Sequence, residues 1–126
     1  MYVYIQMIES DVFSTRQEML FLLKENPGVI VIKYGADWCG PCKKIEEFVK
    51  KNMELMPEKV RCIVIDIDEA FDAYAFLKSK KIVNGIPAIL AYYKGNESYI
   101  PDEVVLGTDT DEIKQLFQNC YKKVSE

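Results

Sequence analysis

The chain has 126 residues and a mass of 14.6 kDa, and this size together with 49% hydrophobic residues predicts a single domain with a buried core over residues 1–126. The 20 acidic residues outnumber the 16 basic ones and give a formal net charge of -4, so nucleic acids and anionic membranes are not expected partners. The chain contains no histidine, which excludes Ser-His-Asp catalysis, Cys-His catalysis and histidine-ligated metals.

The first part of the chain alternates predicted strands and helices. Residues 2–8 are rich in β-branched and aromatic side chains and predict a short strand. Ser14 and Gln17 have the spacing of a capping box, and the helix that they open is predicted to end at the turn of residues 26–28. Residues 29–32 (VIVI) are typical of a central strand that is covered on both faces.

The middle of the chain repeats this alternation. Apolar side chains at spacings of three and four predict amphipathic helices over residues 42–53 and 69–81. Residues 60–67 (VRCIVIDI) lie between these helices and predict a strand.

The last part of the chain predicts a hairpin and a final helix. A strand at residues 88–93 is followed by a turn and by an edge strand at residues 99–106 that pairs back antiparallel. Asp109 and Glu112 have the spacing of a second capping box and open the last helix. The predicted order is βαβαβαββα, an α/β fold with a mixed central sheet of about five strands and four helices on its two faces.

No targeting or membrane segment is predicted. Residues 1–13 lack a basic stretch followed by an apolar one, and the longest nearly apolar run, residues 86–93, is eight residues long. We therefore expect a soluble, cytoplasmic protein.

The sequence WCGPCK at residues 38–43 lies between a predicted buried strand and a predicted helix. Residues i and i+3 of a helix lie one turn apart on one side, so Cys39 and Cys42 can form a disulfide with little movement of the backbone. Cys39 is expected at the helix N-terminus, where free N–H groups and the helix dipole favour a thiolate, and it is the predicted attacking sulfur. Pro41 in the first turn loses no hydrogen bond, and Cys42 is expected to be more buried.

These residues resemble the active-site motif of the thioredoxin family. WCGPCK follows a strand, and Ile86-Pro87 follows Cys42 by 45 positions, a pattern that is similar to thioredoxins from about Val12 through the final helix. The resemblance implies a thioredoxin fold in which the Ile86–Pro87 peptide bond is cis and faces the cysteines.

The resemblance also implies a site around the cysteines. It assigns Trp38, Gly40 and Pro41 to an active-site loop. It implies a substrate groove whose rim consists of Trp38, Ile86, Pro87 and Gly107. Independently of the resemblance, the position of Trp38 just before an exposed cysteine favours partial exposure over a place in the core.

Four features depart from the family pattern. Lys33 stands where the family carries a buried acid to which the proton of the second cysteine is assigned. A neutral Lys33 could accept that proton, a charged Lys33 would favour nearby thiolates, and the alternative is an ammonium that reaches the surface. Glu47 replaces a helix proline, Gly35 is expected to leave the groove more open, and the hairpin over residues 93–106 is longer than in a minimal thioredoxin.

The other acidic and thiol side chains have simpler interpretations. Cys39 and Cys42 could be half of a zinc or iron–sulfur site, but such a site would need two more ligands. Cys62 and Cys120 fall in a predicted strand and a predicted helix and are expected to pack as small hydrophobes, so no metal is predicted. Asp66 and Asp68 are expected to be surface or turn carboxylates at a strand end.

The predicted function is thiol–disulfide exchange by a monomer without a cofactor. Cys39 attacks a disulfide of a protein substrate, and Cys42 then resolves the mixed disulfide. Gly-Pro between the cysteines, as in thioredoxins, implies a reductant that a reductase or another dithiol donor regenerates. The alternatives are an adaptor subunit with residual redox activity, which docks through the long hairpin or the opening at Gly35, and a more oxidising exchange protein.

Overall fold

The computed structural model describes residues 4–125. Within that range it has four helices and a five-stranded mixed sheet of order β1-β3-β2-β4-β5. The elements are β1 (Glu9–Ser10), α1 (Arg16–Leu23), β2 (Val29–Gly35), α2 (Gly40–Glu54), β3 (Val60–Asp66), α3 (Phe71–Ser79), β4 (Ala88–Tyr93), β5 (Glu103–Leu106) and α4 (Thr110–Ser125). The predicted order βαβαβαββα is confirmed, and the differences lie at the ends of elements.

Strand β2 is the centre of the sheet. It pairs parallel with β3 and antiparallel with β4, and all seven of its residues are buried. Because side chains alternate along a strand, Ile30, Ile32 and Tyr34 pack on the face covered by α1 and α3. Val29 and Val31 pack on the other face, among core residues of α2 and α4. The two hydrophobic layers confirm helices on both faces of the sheet.

The first strand differs from its prediction. Residues 2–3 lie outside the described part of the chain, residues 4–8 form no strand, and β1 is Glu9–Ser10 alone. Gln6 uses its hydrogen bonds elsewhere: its backbone N–H donates to Glu54 at 3.0 Å, and its side-chain amide donates to the carbonyl of Val60 at 2.7 Å. The strand that the β-branched composition predicts is therefore wrong for residues 4–8, because this segment is hydrogen-bonded to the end of α2 and the start of β3.

The capping box of α1 is one residue later than predicted. The N-cap is Thr15, not Ser14, and Thr15 accepts a hydrogen bond from the backbone N–H of Glu18 while Glu18 accepts from that of Thr15. Hydrogen bonds from the backbones and hydroxyls of Thr15 and Ser14 hold the pKa of Glu18 at about 2. At the last helix, Asp109 accepts from the backbone N–H of Glu112 at 3.1 Å, in agreement with the predicted cap.

Other boundaries shift by a few residues. Helix α2 begins at Gly40 rather than at residue 42 and continues through Glu47, and α3 is shorter than the predicted range 69–81. Among residues 4–125, no helix combines the length and the apolar composition that a membrane crossing requires.

The hairpin of residues 93–106 folds back on the helices. Its edge strand is only Glu103–Leu106, and the preceding Tyr99 donates its hydroxyl to the carbonyl of Arg16 at 2.8 Å. The Tyr99 ring also meets the Phe76 ring edge-on with centroids 4.6 Å apart, and Tyr92 donates its hydroxyl to the Tyr99 carbonyl at 2.6 Å. These contacts replace strand pairing and shorten the predicted strand of residues 99–106.

Candidate active site

The two cysteines lie where β2 passes into α2. Cys39 is the N-cap of α2 and Cys42 is in its first turn, with Pro41 between them, as the sequence predicted. They are joined as a disulfide with a Cα–Cα distance of 5.3 Å, and the sulfur of Cys39 accepts a hydrogen bond from the backbone N–H of Cys42 at 3.2 Å. When the disulfide is reduced, the helix N-terminus therefore stabilises a negative charge on the Cys39 sulfur.

The two sulfurs are equally buried but face different surroundings. Cys39 and Cys42 are each 5% exposed, so the expectation that Cys42 is the more buried is wrong. The sulfur of Cys39 lies 4.0 Å from the carbonyl oxygen of Ile86, on the side of the predicted groove. The sulfur of Cys42 lies over Gly35 of β2, because α2 covers this strand end.

The loop before β4 meets the cysteines from the other side. The Ile86–Pro87 peptide bond is cis, as predicted. Gly107 follows β5, has a φ of 105° and donates its backbone N–H to the carbonyl of Pro87 at 3.0 Å. The pairing of β4 with β5 thus places Gly107 beside Pro87, and Ile86 beside Cys39.

Trp38 is held at the surface by a partner that the sequence interpretation missed. Its side chain is 67% exposed, and its indole N–H donates to a carboxylate oxygen of Asp68 at 2.9 Å. Asp68 was interpreted as a turn carboxylate, yet β3 lies parallel to β2, so the carboxyl ends of the two strands meet beside the cysteine loop. A carboxylate just after a strand adjacent to the motif strand was the signal that could have identified it.

Gly35 lies beneath Cys42 and does not open the groove. A Cβ atom added to Gly35 would lie 3.5 Å from the sulfur of Cys42, on the face of β2 covered by α2. The predicted wider groove is therefore wrong, because the missing side chain leaves space behind the disulfide.

Lys33 is buried in the same region. It is 6% exposed and, together with Gly35, Cys42 and Glu46, lines a cavity of about 280 Å³. Burial lowers the pKa of Lys33, and the negative charge of Glu46 partly offsets that effect. The structure thus brings Lys33 and Cys42 to one cavity.

The remaining cysteines belong to the core. Cys62 and Cys120 are fully buried free thiols in the layer between the sheet, α2 and α4, which confirms their expected packing. Burial raises the pKa of Cys62 to about 12 and raises that of Cys120 as well. In the described part of the chain, no three Cys, Asp or Glu side chains are grouped to hold a metal ion.

Comparisons with known proteins agree with this geometry. The family model described as Thioredoxin matches residues 12–119. Thioredoxin 3 of Plasmodium falciparum is 30% identical over 75% of this chain, and the match spans 49% of that protein's length. Thioredoxin-1 of Saccharomyces cerevisiae is 31% identical over 69% of this chain and 76% of its own length.

A solved structure shows the same architecture. The thioredoxin of Trichomonas vaginalis superposes with a TM-score of 0.71 and 26% identity, over 89% of this chain and 96% of that one.

Proposed function

The chain belongs to the thioredoxin family of thiol–disulfide oxidoreductases, and on that premise we propose that it reduces disulfide bonds of proteins. The observation that most supports thiol–disulfide exchange is the Cys39–Cys42 pair at the N-terminus of α2, next to the cis Ile86–Pro87 bond. The proposed direction rests on Gly40 and Pro41 between the two cysteines. In the reduced protein, the helix N-terminus stabilises the Cys39 thiolate and makes it the nucleophile.

The proposed reaction has two exchange steps. The Cys39 thiolate attacks a substrate disulfide, forms a mixed disulfide and releases one substrate sulfur as a thiolate that takes a proton from water. Cys42 then loses its proton and attacks Cys39, which releases the second substrate sulfur. The substrate gains two electrons, and the Cys39–Cys42 disulfide is formed.

We assign the groove to the surface around Cys39. Trp38 lies at the surface beside it, and the carbonyl of Ile86 is within 4.0 Å of the Cys39 sulfur. The backbone of Ile86 and Pro87 would bind an extended substrate segment, and Gly107 supports that loop through its hydrogen bond to Pro87. Gly40 and Pro41 complete the active-site loop.

The remaining parts of the proposal concern the protein's setting. We propose a single domain over residues 1–126 that acts as a cytoplasmic monomer, without a bound cofactor, on disulfide-containing proteins. Its own disulfide is then reduced by a reductase or a dithiol donor. The free thiols of Cys62 and Cys120 suit a compartment in which thiols stay reduced.

A second candidate is an adaptor subunit that docks through the long hairpin. The observation that favours it is Ile100, which is 67% exposed and directly follows Tyr99, whose hydroxyl is bonded to Arg16. The rate at which the isolated protein reduces a generic protein disulfide separates the two functions, since an adaptor keeps only residual redox activity.

Trapping tests the roles of the cysteines. Cys42→Ser should accumulate mixed disulfides with substrates through Cys39, because the first step proceeds and the second cannot. Cys39→Ser should trap nothing. A variant that carries both substitutions keeps the buried Cys62 and Cys120 and is the matched control. Equal trapping by the two single variants would contradict the assignment.

The equilibrium potential tests the direction of the reaction. Equilibration of the Cys39–Cys42 pair with glutathione should give a value near the thioredoxin range of about -270 mV. A value near about -180 mV would instead assign the protein to the oxidising exchange proteins.

A further inference from the structure

Behind the disulfide, the face of the sheet that α2 covers carries a buried lysine. Lys33 and Gly35 are two residues apart on β2, so they lie on the same face of the sheet and are about 7 Å apart along the strand. The sulfur of Cys42 lies over Gly35, at 3.5 Å from the position of an added Cβ. The stem of Lys33 is long enough to cross this distance, and the absent side chain of Gly35 leaves the path to Cys42 open.

The cavity connects these groups. Its volume is about 280 Å³, and it reaches Lys33, Gly35 and Cys42. The charged groups that face it from the surrounding elements are Asp11, Lys33, Asp37, Lys43, Glu46 and Asp66. Lys33 is the buried member of this set, at 6% exposure, so its charge is screened least by solvent.

One of the acidic groups, Glu46, favours a charged lysine. Four carboxylates face the cavity, against the two cations Lys33 and Lys43. Glu46 raises the pKa of Lys33 against the larger, opposite effect of burial. An ammonium held in this position shares the cavity with one cysteine, Cys42.

We propose that the Lys33 ammonium is a positioning charge that stabilises the thiolate of Cys42 across this cavity, so that the resolving sulfur ionises although position 33 holds no acid to take its proton. The proton of Cys42 leaves to water in the cavity. The thiolate attacks Cys39, the bond between Cys39 and the substrate sulfur breaks, and that sulfur leaves as a thiolate. The resolution step rests on the proposed function, whereas the effect on the cysteine equilibrium needs only the disulfide.

The proposal predicts how the variant Lys33→Met differs from the wild type, as pH changes, in the rate of mixed-disulfide resolution and in the equilibrium of disulfide reduction. An opposite unit charge within about 4–6 Å of a thiol lowers the pKa of that thiol by about one unit or more, which is about tenfold in the thiolate fraction at neutral pH. Nucleophilicity falls as a thiolate is stabilised, so roughly a third of that gain remains in the rate. At pH 7, Lys33→Met should therefore resolve mixed disulfides about threefold more slowly than the wild type. At a pH above the Cys42 pKa of both proteins, Lys33→Met should resolve them about threefold faster.

The equilibrium constant for reduction of the Cys39–Cys42 disulfide should differ between the two proteins at high pH and not at low pH. Below pH 6 both proteins hold Cys42 as a thiol, and the potentials of wild type and Lys33→Met should coincide. As pH rises, the stabilised thiolate makes the wild type easier to reduce, until the difference approaches about tenfold in the equilibrium constant, which is about 30 mV. A purely structural effect would shift the potential by the same amount at every pH.

The experiment combines rapid mixing with glutathione equilibration from pH 5 to about pH 10.5, which extends above the ordinary cysteine pKa of about 8.5. Wild type is compared with Lys33→Met, with Lys33→Arg as the variant that retains a cation, and with Lys50→Met as the control. Lys50 lines an adjacent cavity of about 240 Å³ with Lys33 and Glu46, but not the cavity of Cys42. We expect crossing rate profiles and diverging potentials for Lys33→Met alone, and an unchanged first attack by Cys39.

Two results would overturn the proposal. Parallel rate profiles, or potentials of Lys33→Met and wild type that agree at pH 9, would show that the charge does not reach Cys42. Failure of the proposed function gives a different result: the wild type would not reduce protein disulfides, while the potentials, measured with glutathione alone, would still diverge with pH.

Discussion

Asp68→Ala should free the indole of Trp38 and weaken the reaction with protein substrates. The change removes the carboxylate that accepts the indole N–H at 2.9 Å. A hydrogen bond to a charged group contributes about 1.5–3 kcal/mol when it is buried. Trp38 is 67% exposed, so solvent competes for both partners and we expect about 1 kcal/mol. This corresponds to roughly a fivefold loss in kcat/KM for a protein disulfide.

Two measurements check this prediction. Trp38 is the only tryptophan of the chain, so fluorescence anisotropy reports directly on its mobility and should fall in the variant. The reduction rate of a small disulfide that does not reach the indole should stay unchanged, because the cysteines are untouched. Glu69→Ala removes the neighbouring exposed carboxylate and is the control. Unchanged anisotropy together with unchanged kcat/KM would refute the role assigned to the hydrogen bond.

Two further predictions concern stability. The buried side chain of Asn26 is 7% exposed, donates to the carbonyl of Tyr92 at 2.8 Å and accepts from the N–H of Gly28 at 2.9 Å. Asn26→Ala should therefore lower the free energy of unfolding, measured by urea titration, by about 2–3 kcal/mol. Asn52→Ala, which loses only a bond within its own helix, should cost less than about 1 kcal/mol. The Arg61 hydrogen bond lowers the pKa of Glu9, so the charged form stabilises the fold above the unfolded-state pKa and this contribution disappears as pH falls through the lowered value. Glu9→Gln should therefore be less stable than the wild type at pH 7, by under about 1 kcal/mol because the ion pair is partly exposed. Near pH 2 the two proteins should be equally stable. A constant difference in the free energy of unfolding across this pH range would contradict the linkage.

The parts of the fold that could be predicted from sequence are those with strong local patterns. The VIVI run predicted the strand that is buried on both faces, and the spacing within WCGPCK predicted a disulfide at the start of a helix. In both cases neighbouring residues carry the information, through side-chain alternation or through the helical turn. The cis bond before Pro87 came from family resemblance and not from local pattern.

The features that were missed depend on contacts between distant residues. Residues 4–8 have strand composition, but Gln6 binds carbonyls more than fifty positions away and draws the segment off the sheet. The expected role of Gly35 failed because strand alternation sets the face on which a residue lies, and that face is behind the disulfide. The contact of Trp38 with Asp68 spans 30 positions and follows from the parallel pairing of two strands.

The position of β2 also determines which parts of the molecule open first. Its backbone N–H groups point alternately to β3 and to β4, so exposure of all of them to solvent requires β2 to separate from both neighbours, which amounts to unfolding of the whole sheet. The two-residue β1, by contrast, can detach at the edge of the sheet while β2 and the helix that follows it stay in place. The cysteines are attached to the last part of the sheet to open, so fraying at the edge of β1 leaves their geometry intact, and native-state hydrogen exchange should rank β2 as the most protected strand.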